Sequence, residues 1–149
     1  MQITSYTDYA LRVLIFLARS PNSQSTITEI ADFFNISRNH LVKVVHQLGG
    51  KGFVNTTRGK GGGLSLQRPP EMIRIGEVVR SMETHFNWVE CFDPSQQHCR
   101  LLPGCGLKQL LARAGDAYLQ VLDAATLEDV LLDTINAEAP QKETSDNLK

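Results

Sequence analysis

Apolar residues recur at helical spacing near the start of the chain and predict a first helix over residues 4–19. This helix is apolar on two sides. Its apolar positions are Tyr6, Leu11, Val13, Leu14, Ile15, Leu17 and Ala18. A helix that is apolar on two sides is expected to be buried on both, so we expect it to contact its own core and a second subunit.

A second pattern, over residues 26–48, predicts a helix-turn-helix. Thr26 and Glu29 have the spacing of a capping box, and the apolar residues that follow fall on one face of a short helix. Asn35 tolerates the left-handed backbone conformation that the tight turn of this motif often needs. Ser37 is then placed to cap the next helix. The apolar face of that helix consists of Leu41, Val44, Val45 and Leu48.

The outer face of this second helix is rich in hydrogen-bond donors. It carries Arg38, Asn39, His40, Lys43 and Gln47. Recognition helices enter the major groove by their N-terminal residues, where Arg pairs with guanine and Asn with adenine. We therefore predict that Arg38 and Asn39 contact bases and that Lys43 reaches phosphate. His40 is expected on the same DNA-binding surface and not as a metal ligand. The alternative is an ordinary solvated helix face.

Two short alternating segments, residues 53–57 and 64–67, predict a β-hairpin after Gly49 and Gly50 have ended the helix. The tip between the strands contains Arg58 and Lys60 among glycines. A hairpin of this kind is typical of a wing that approaches phosphates or a minor groove. A phosphate-binding loop is the alternative, but these glycines lie between strands and not before a helix.

The C-terminal half predicts three more helices. The first of them is amphipathic and ends near Glu83, and the next is long and begins at Gly106. The apolar stripe of the long helix is Leu107, Leu110, Leu111, Ala114, Tyr118, Val121 and Leu122. A long helix with one stripe usually needs a partner helix, so we expect a dimer with this helix at the seam; packing within one chain is the alternative. Thr126 and Asp129 start a last short helix.

All three cysteines lie in one short stretch, as Cys91, Cys99 and Cys105, with seven and five residues between them. Prolines and a glycine favour a loop here. Three thiols on one loop suggest a shared metal group, since thiolates are the usual ligands of iron–sulfur clusters. An odd count and the lack of a secretory pattern at residues 1–17 disfavour a disulfide framework. A zinc site usually has a tight cysteine knuckle and a fourth ligand, for which His98 is the candidate.

Charge is distributed unevenly along the chain, although the net charge is only −1. Residues 1–80 carry ten Lys or Arg and five Asp or Glu, whereas residues 81–149 carry five and eleven. A basic N-terminal half is typical of a protein that binds a polyanion such as DNA. No apolar run approaches the roughly 20 residues of a membrane span. No nucleophile–base pair, paired carboxylates or cofactor motif suggests an enzyme.

Together these patterns predict a mainly α-helical fold, a winged helix-turn-helix domain with a long C-terminal dimerisation helix. We expect the DNA-binding domain at residues 1–83 and the cysteine loop at 84–105. The dimerisation helix and a short terminal helix are expected at 106–136, followed by a disordered tail at 137–149. Free thiols without a secretory signal predict a cytoplasmic location.

Five segments resemble a bacterial family of winged-helix iron–sulfur repressors that includes NsrR and IscR. They are TSYTDYALR in the first helix, ISRNHLVKVV in the recognition helix, GKGGGLSL in the wing, IRIGEVV after it, and the cysteine loop. The likeness runs in order through about residues 1–135. RNHLVK and CGLKQLL resemble the NsrR-type, nitric-oxide-sensitive branch, and Lys108 stands where the IscR branch has a His ligand.

The resemblance implies a homodimeric repressor that binds a palindromic operator. It also implies an iron–sulfur cluster on the three cysteines, of the 4Fe–4S type with 2Fe–2S as the alternative. The fourth ligand implied is Asp8 of the partner subunit, with His98 as the backup; an ordinary helix N-terminal carboxylate is the other interpretation of Asp8. Nitric oxide would then release nitrosative-stress genes. The alternatives are a regulator of cluster biogenesis, iron or sulfur metabolism, and, in another class, a zinc-stabilised interaction module or an electron-transfer protein.

Overall fold

The structure, a computed structural model, describes residues 3–20, 24–57, 59, 62–96 and 98–137. This part of the chain contains six α-helices and one two-stranded sheet. In order they are α1 (Ser5–Arg19), α2 (Ile27–Phe34), α3 (Arg38–Gly50), β1 (Val54–Thr56), β2 (Leu64–Leu66), α4 (Ile75–Met82), α5 (Gly106–Ala124) and α6 (Leu127–Ala137). The prediction of a mainly α-helical fold with a long C-terminal helix is confirmed.

Local hydrogen bonds explain where α2 begins and ends. The Thr26 amide donates to the Glu29 carboxylate at 2.7 Å, and the Glu29 amide donates to the Thr26 hydroxyl at 3.2 Å, so the predicted capping box is confirmed. Asn35 ends α2 in the left-handed conformation, with φ of 52° and ψ of 47°, also as predicted. Ser37 occupies the N-cap position of α3, but its hydroxyl makes no capping hydrogen bond, so the expectation for its side chain is wrong.

The sheet is the hairpin expected after α3. β1 and β2 are antiparallel, with Val54 opposite Leu66 and Thr56 opposite Leu64. The segment before α2 also pairs with β2, because Ser25 exchanges two main-chain hydrogen bonds with Leu64, at 2.9 and 2.7 Å. A single bridging residue leaves no alternating pattern in the sequence, so this pairing had no signature there. It joins the helix-turn-helix to the wing.

Helix α1 lies at the centre of the fold and packs against α3, α4 and α6. Its buried positions are Thr7, Ala10, Val13, Leu14 and Leu17. The remaining apolar side chains of α1, among them Tyr6, Leu11 and Ile15, are partly buried against the same core. The chain itself therefore contacts both apolar sides of α1, and a second subunit is not needed to explain them.

The C-terminal end of α5 is attached to the DNA-binding half of the chain. The amide of Ile75 donates to the carbonyl of Ala125 at 3.0 Å, and the amide of Leu127 donates to the carbonyl of Ile73 at 2.8 Å. Leu127 is fully buried, and α6 folds back onto α1. The C-terminal end of the long helix is thus held beside the segment that leads into α4.

Helix α6 begins where the sequence predicts it. The Thr126 amide donates to the Asp129 carboxylate at 2.8 Å, and the Asp129 amide donates to the Thr126 hydroxyl at 3.2 Å. The helix ends at Ala137. The disorder predicted for residues 137–149 concerns positions that lie almost wholly outside the described residues. Among the residues described, no helix combines the length and apolarity that crossing a membrane requires.

Helix α5 carries apolar residues on two faces and not in one stripe. The face towards α4 and the preceding loop is partly buried. It includes Leu111, Gly115, Tyr118, Leu119 and Leu122. The opposite face is exposed. It consists of Leu107, Leu110, Ala114, Ala117 and Val121. The predicted stripe combined members of both faces, because spacing alone does not tell on which side α4 packs.

Candidate nucleic-acid interface and metal centre

The outer face of α3 presents the donors that the sequence predicts for base contacts. Arg38, Asn39, His40 and Lys43 are all exposed, and the first turn of α3 contains no acidic residue. Arg38 and Asn39 are the first two residues of the helix, which is the end that enters the major groove in a helix-turn-helix. These side chains are therefore available to bases and phosphates.

Gln47 belongs to the same face in the sequence pattern but is engaged within the chain. It is partly buried, and its side-chain amide donates a hydrogen bond to the main-chain carbonyl of Ser81 at 3.0 Å. Ser81 belongs to the last turn of α4, whose carbonyls lack partners inside their own helix. Gln47 is thus removed from the expected row of DNA-facing donors and connects α3 to α4.

A groove of about 550 Å³ beside α3 is lined in part by basic side chains. Its polar lining includes Tyr6, Lys43, His46 and Lys51. Cationic side chains along such a groove suit the phosphate backbone of a nucleic acid.

The tip of the wing contains a turn that only glycine adopts without strain. Gly59 has a φ of +103°, and its carbonyl accepts a hydrogen bond from the amide of Gly62 at 2.9 Å. The turn allows the tip to approach another molecule closely. Arg58 and Lys60, the predicted DNA contacts of the wing, lie outside the described residues, so their role stays a prediction.

The three cysteines lie on the segment that leads from α4 to α5, residues 84–105, here called the cysteine segment. Cys91 lies in the 3-10 turn Glu90–Phe92, Cys99 is exposed, and Cys105 is the N-cap residue of α5. All three thiols are free. The turn at Glu90–Phe92 and a second one at Pro94–Gln96 depart from the expected plain loop; proline is tolerated in the first turn of a helix and starts the second one.

The single chain does not bring the cysteines into one metal-binding cage. Within the part of the chain that the structure describes, no three His, Cys, Asp or Glu side chains lie close enough together to hold a metal ion. The donor set nevertheless fits an iron–sulfur cluster by its chemistry, since it consists of three unpaired thiols on one segment. His98 is exposed on the same segment. Lys108, in the first turn of α5, is a cation and no metal ligand.

Asp8, the fourth ligand implied by the family resemblance, lies in the first turn of α1 and is paired with Arg12. The Arg12 Nε donates to one carboxylate oxygen at 3.1 Å, and Nη2 lies 2.9 Å from the other. The hydrogen bond with Asp8 raises the pKa of Arg12. Both side chains are 44% exposed, so the carboxylate remains accessible to a further partner. Among the described residues, Asp8 is not part of any group of three or more His, Cys, Asp or Glu side chains that could hold a metal ion.

Glu83, which the sequence marked only as the end of a helix, joins α1 to the start of the cysteine segment. Its carboxylate accepts hydrogen bonds from the amide and the hydroxyl of Thr4, at 2.9 and 3.0 Å. Burial raises the pKa of Glu83, but hydrogen bonds from Thr7 and Thr4 outweigh it and hold the pKa below its usual value. No sequence signal identifies this contact, because its partners are 79 residues apart.

Trp88 anchors the first part of the cysteine segment on α5. Its ring packs edge-on against Tyr118, with ring centroids 6.1 Å apart, and covers Gly115, where a Cβ would stand 2.7 Å from the indole. On one side of Trp88 lies a cavity of about 250 Å³ that Glu83 also lines. On the other side Trp88 and Phe92 line an apolar groove of about 280 Å³ on α5. The first part of the cysteine segment therefore contacts α5 and lines the same cavity as Glu83.

A helix-turn-helix whose second helix begins with exposed Arg and Asn, followed by a hairpin wing, defines a winged-helix DNA-binding regulator. The family described as "Rrf2: Iron-dependent Transcriptional regulator" matches residues 3–133. The chain belongs to the Rrf2 family of transcriptional regulators. The resemblance to this group of regulators that the sequence motifs indicated is thereby confirmed.

Several relatives are called "HTH-type transcriptional regulator NsrR". That of Bacillus licheniformis is 53% identical over 133 residues, which cover 89% of this chain and 93% of the relative. That of Bacillus subtilis is 54% identical over 132 residues, which cover 88% of this chain and 90% of the relative. Because these relatives are transcriptional regulators, the prediction that the chain is not an enzyme is also confirmed.

Solved structures give the same fold. CymR, described as "the Global Cysteine Regulator of B. subtilis", matches with a TM-score of 0.69 at 28% identity, over 89% of this chain and 98% of CymR. The structure of T. potens IscR matches with a TM-score of 0.75 at 23% identity, over 95% of this chain and 93% of IscR. The IscR match shows a shared fold alone.

Proposed function

We propose that this chain is an iron–sulfur-containing transcriptional repressor that senses nitric oxide and releases genes of the nitrosative-stress response. The observation that carries the proposal is the position of all three cysteines, as free thiols, on the one segment that follows α4. The relatives that bear the name NsrR support the same assignment. A cytoplasmic location belongs to the proposal, because reduced thiols persist in a reducing compartment.

In this proposal Cys91, Cys99 and Cys105 hold the cluster, with 4Fe–4S favoured over 2Fe–2S. Three thiolates leave one position, and the partner subunit's Asp8 fills it; His98 is the alternative. When bound, the cluster supplies iron that reacts with nitric oxide. A carboxylate is a harder ligand than a thiolate and binds such iron more weakly, so this position is the one most open to exchange.

Asp8 connects the proposed centre to DNA binding through its own helix. α1 packs against α3, the helix that carries the DNA-facing donors, and against α4, which leads into the cysteine segment. Arg12 orients the Asp8 carboxylate from one turn away, at 2.9 Å. Loss of the iron partner of Asp8 would therefore act on α1, the helix against which α3 packs.

The proposal includes a symmetric dimer formed through the exposed apolar face of α5. Leu107, Leu110 and Val121 are 63%, 57% and 70% exposed in the single chain. With Ala114 and Ala117 they repeat at alternating intervals of three and four residues, which is the spacing of a helix–helix seam. The two alanines allow close approach of the paired helices. A face of this composition is unfavourable in water and suits a second copy of itself.

A dimer of this kind would place two recognition helices about 34 Å apart, on successive major grooves of a palindromic operator. The side chains proposed to contact DNA are Arg38, Asn39, His40 and Lys43 of α3, with Arg58 and Lys60 at the wing. The first four are exposed. Their cationic members would contribute counterion release, so operator affinity should fall steeply with salt.

Anaerobic purification followed by nitric oxide titration tests the proposal. We expect visible absorbance from the purified protein, operator binding before nitric oxide, and release of the operator together with loss of that absorbance. Cys99→Ala should abolish the absorbance, whereas Ser95→Ala, an exposed change on the same segment, should keep it. A colourless protein that contains zinc would favour the zinc-stabilised module instead. If the operator complex survives nitric oxide while the absorbance changes, nitric oxide is not the signal that releases the operator.

A second candidate is a regulator of cluster biogenesis, iron or sulfur metabolism. The match to CymR, described as a global cysteine regulator, favours it. The two functions differ in what changes operator affinity. For this second candidate the affinity should follow cluster loading or sulfur supply and should not depend on nitric oxide at concentrations that leave the cluster intact.

A further inference from the structure

Two long-range hydrogen-bonded contacts meet at the C-terminal end of α4 and its cap residue, residues 81–83, here called the junction turn. On one side, the side-chain amide of Gln47 in α3 donates to the Ser81 carbonyl at 3.0 Å. On the other side, Glu83 accepts from the amide and hydroxyl of Thr4, the N-cap residue of α1, at 2.9 and 3.0 Å. The junction turn therefore contacts both the DNA-reading helix and the helix that carries Asp8.

The junction turn also continues directly into the cysteine segment. Glu83 and Trp88 line one cavity of about 250 Å³, which separates the junction turn from α5. Trp88 in turn is fixed on α5 by Tyr118 and by Gly115. Only residues 84–87 separate the junction turn from Trp88, so a displacement of Trp88 on α5 would change the position of residue 83.

These contacts are peripheral to the packing that keeps the domain folded. α3 is attached to the core by Leu41, Val44 and Leu48, all fully buried. The Gln47–Ser81 bond lies outside that row and is only partly buried. Its removal should therefore leave the fold intact and alter how the end of α3 follows the end of α4.

We propose that Gln47 and Glu83 are positioning residues that couple the cysteine segment to the DNA-reading helix through the junction turn. Gln47 transmits the position of the turn to α3, and Glu83 transmits it to the first turn of α1. The inference rests on the proposed function, because that function supplies the nitric oxide signal. The two hydrogen-bonded contacts themselves are present in the chain without a cluster. Neither residue is expected to touch a cluster or a base.

The first test uses the cluster-free full chain and its single tryptophan, Trp88, as a reporter of the cysteine segment. Operator DNA is titrated at low salt, and DNA anisotropy and Trp88 emission are recorded together. Because coupling between two sites is reciprocal, binding at α3 should change Trp88 emission in the wild type. In Gln47→Met and Glu83→Ala the DNA should still bind, but most of the emission change should be lost. The control Gln67→Met, an exposed glutamine beyond β2, should keep it.

The second test uses cluster-loaded protein and compares operator affinity before and after nitric oxide. Gln47→Met and Glu83→Ala should each reduce the wild-type ratio of the two affinities by about fivefold or more, with unchanged visible absorbance. Glu83→Gln keeps an acceptor oxygen for Thr4 and should restore much of the ratio, and Glu71→Ala, an exposed control, should not alter it. The double variant should be no worse than either single one, because both act through one turn.

The outcomes separate this inference from the proposed function. A Trp88 response that is absent in the wild type, or is retained in both variants, overturns the inference. So do additive losses in the double variant, which would mean two independent effects. A wild type without a cluster, or without a nitric oxide response, would remove the proposed function; the inference then stands or falls on the Trp88 response alone.

Discussion

Arg80 of α4 and Asp123 of α5 are joined by two charge-assisted hydrogen bonds, one from each terminal nitrogen of the guanidinium, with Nη2 at 2.6 Å from Oδ2. Arg74 adds a bond to the Asp123 main-chain carbonyl at 2.8 Å. Gly76 faces the same residue: a Cβ there would overlap the Asp123 carboxylate and stand 2.9 Å from its main-chain nitrogen. These contacts, which come from both ends of α4, fix the last turn of the long helix against α4.

We expect Gly76→Ala to lower the free energy of unfolding by about 1–3 kcal/mol, because the added methyl forces α4 and α5 apart. Equilibrium unfolding in urea, followed by circular dichroism, measures the change. Gly50→Ala is the matched control, since a Cβ at this helix end meets no atom within 4 Å. That control should be neutral or up to about 1 kcal/mol more stable. Equal losses in both variants would contradict the close approach at Gly76.

The ion pair at Asp123 should make stability depend on pH in the acid range. Hydrogen bonding to Arg80 lowers the pKa of Asp123. A carboxyl group with a lowered pKa stabilises the folded state above its unfolded pKa, about 3.9, and loses that contribution as the pH falls through the folded value. The stability difference between wild type and Asp123→Asn should therefore shrink as the pH falls through the folded pKa of Asp123, and it should also shrink in high salt.

Urea unfolding between pH 7 and pH 2.5 checks this expectation. Arg80→Gln serves as the control background. In a protein that lacks the Arg80 charge, Asp123→Asn no longer breaks an ion pair with residue 80. In that background, the stability difference caused by Asp123→Asn should depend much less on pH. A pH dependence that persists unchanged in the Arg80→Gln background would mean that another group lowers the pKa of Asp123. Arg74 would be the first candidate.

Leu110→Glu should convert the proposed dimer into monomers, because it places an unpaired charge in an apolar seam. Leu110 is 57% exposed in the single chain, so the fold of each monomer should survive. Gln109→Glu adds the same charge at the neighbouring exposed position outside the seam and should leave the dimer intact. Sedimentation velocity at micromolar concentration distinguishes them. A Leu110→Glu protein that remains dimeric would mean that the dimer seam lies elsewhere. Leu111→Glu, by contrast, is expected to lower the stability of the monomer as well.

Arg38→Ala should cost about 1–3 kcal/mol of operator binding and relax sequence preference, because a bidentate Arg–guanine contact carries discrimination. Lys60→Ala, at the predicted wing contact, should weaken binding to all DNA about equally and reduce the dependence on salt. Fluorescence anisotropy with operator and scrambled DNA separates the two patterns. Intact operator preference in Arg38→Ala would mean that another part of α3 reads the bases.

Asp8→Ala should leave the fold unchanged, since an exposed ion pair such as Asp8–Arg12 contributes only about 0–1 kcal/mol. We expect the variant to assemble a cluster with another donor in the open position but to release the operator at a different nitric oxide concentration. Asp32→Ala, an exposed aspartate of α2, is the control. Nitric oxide titration of the anaerobic operator complex provides the measurement. Identical release and an identical spectrum would assign the position to His98 or an exogenous ligand.

The sequence by itself determined the features whose cause is local. The capping boxes at Thr26–Glu29 and Thr126–Asp129 and the left-handed Asn35 depend on hydrogen bonds and steric limits within a few residues, so the residue types suffice to predict them. The donor-rich face of α3 follows from helical periodicity for the same reason. The three cysteines can also be recognised as a group from the sequence, because all of them lie in one short stretch.

Only the tertiary structure decided which side chains meet across the chain. Gln47 finds Ser81 34 residues away, and Glu83 finds Thr4 79 residues away, so periodicity contains no information about either contact. α5 illustrates the limit best. Its sequence predicts a long apolar helix, but the division into a face that packs and a face that stays exposed arises only when α4 and Trp88 occupy one side. Burial is a property of neighbours in space, and spacing along one helix does not specify the direction from which they come.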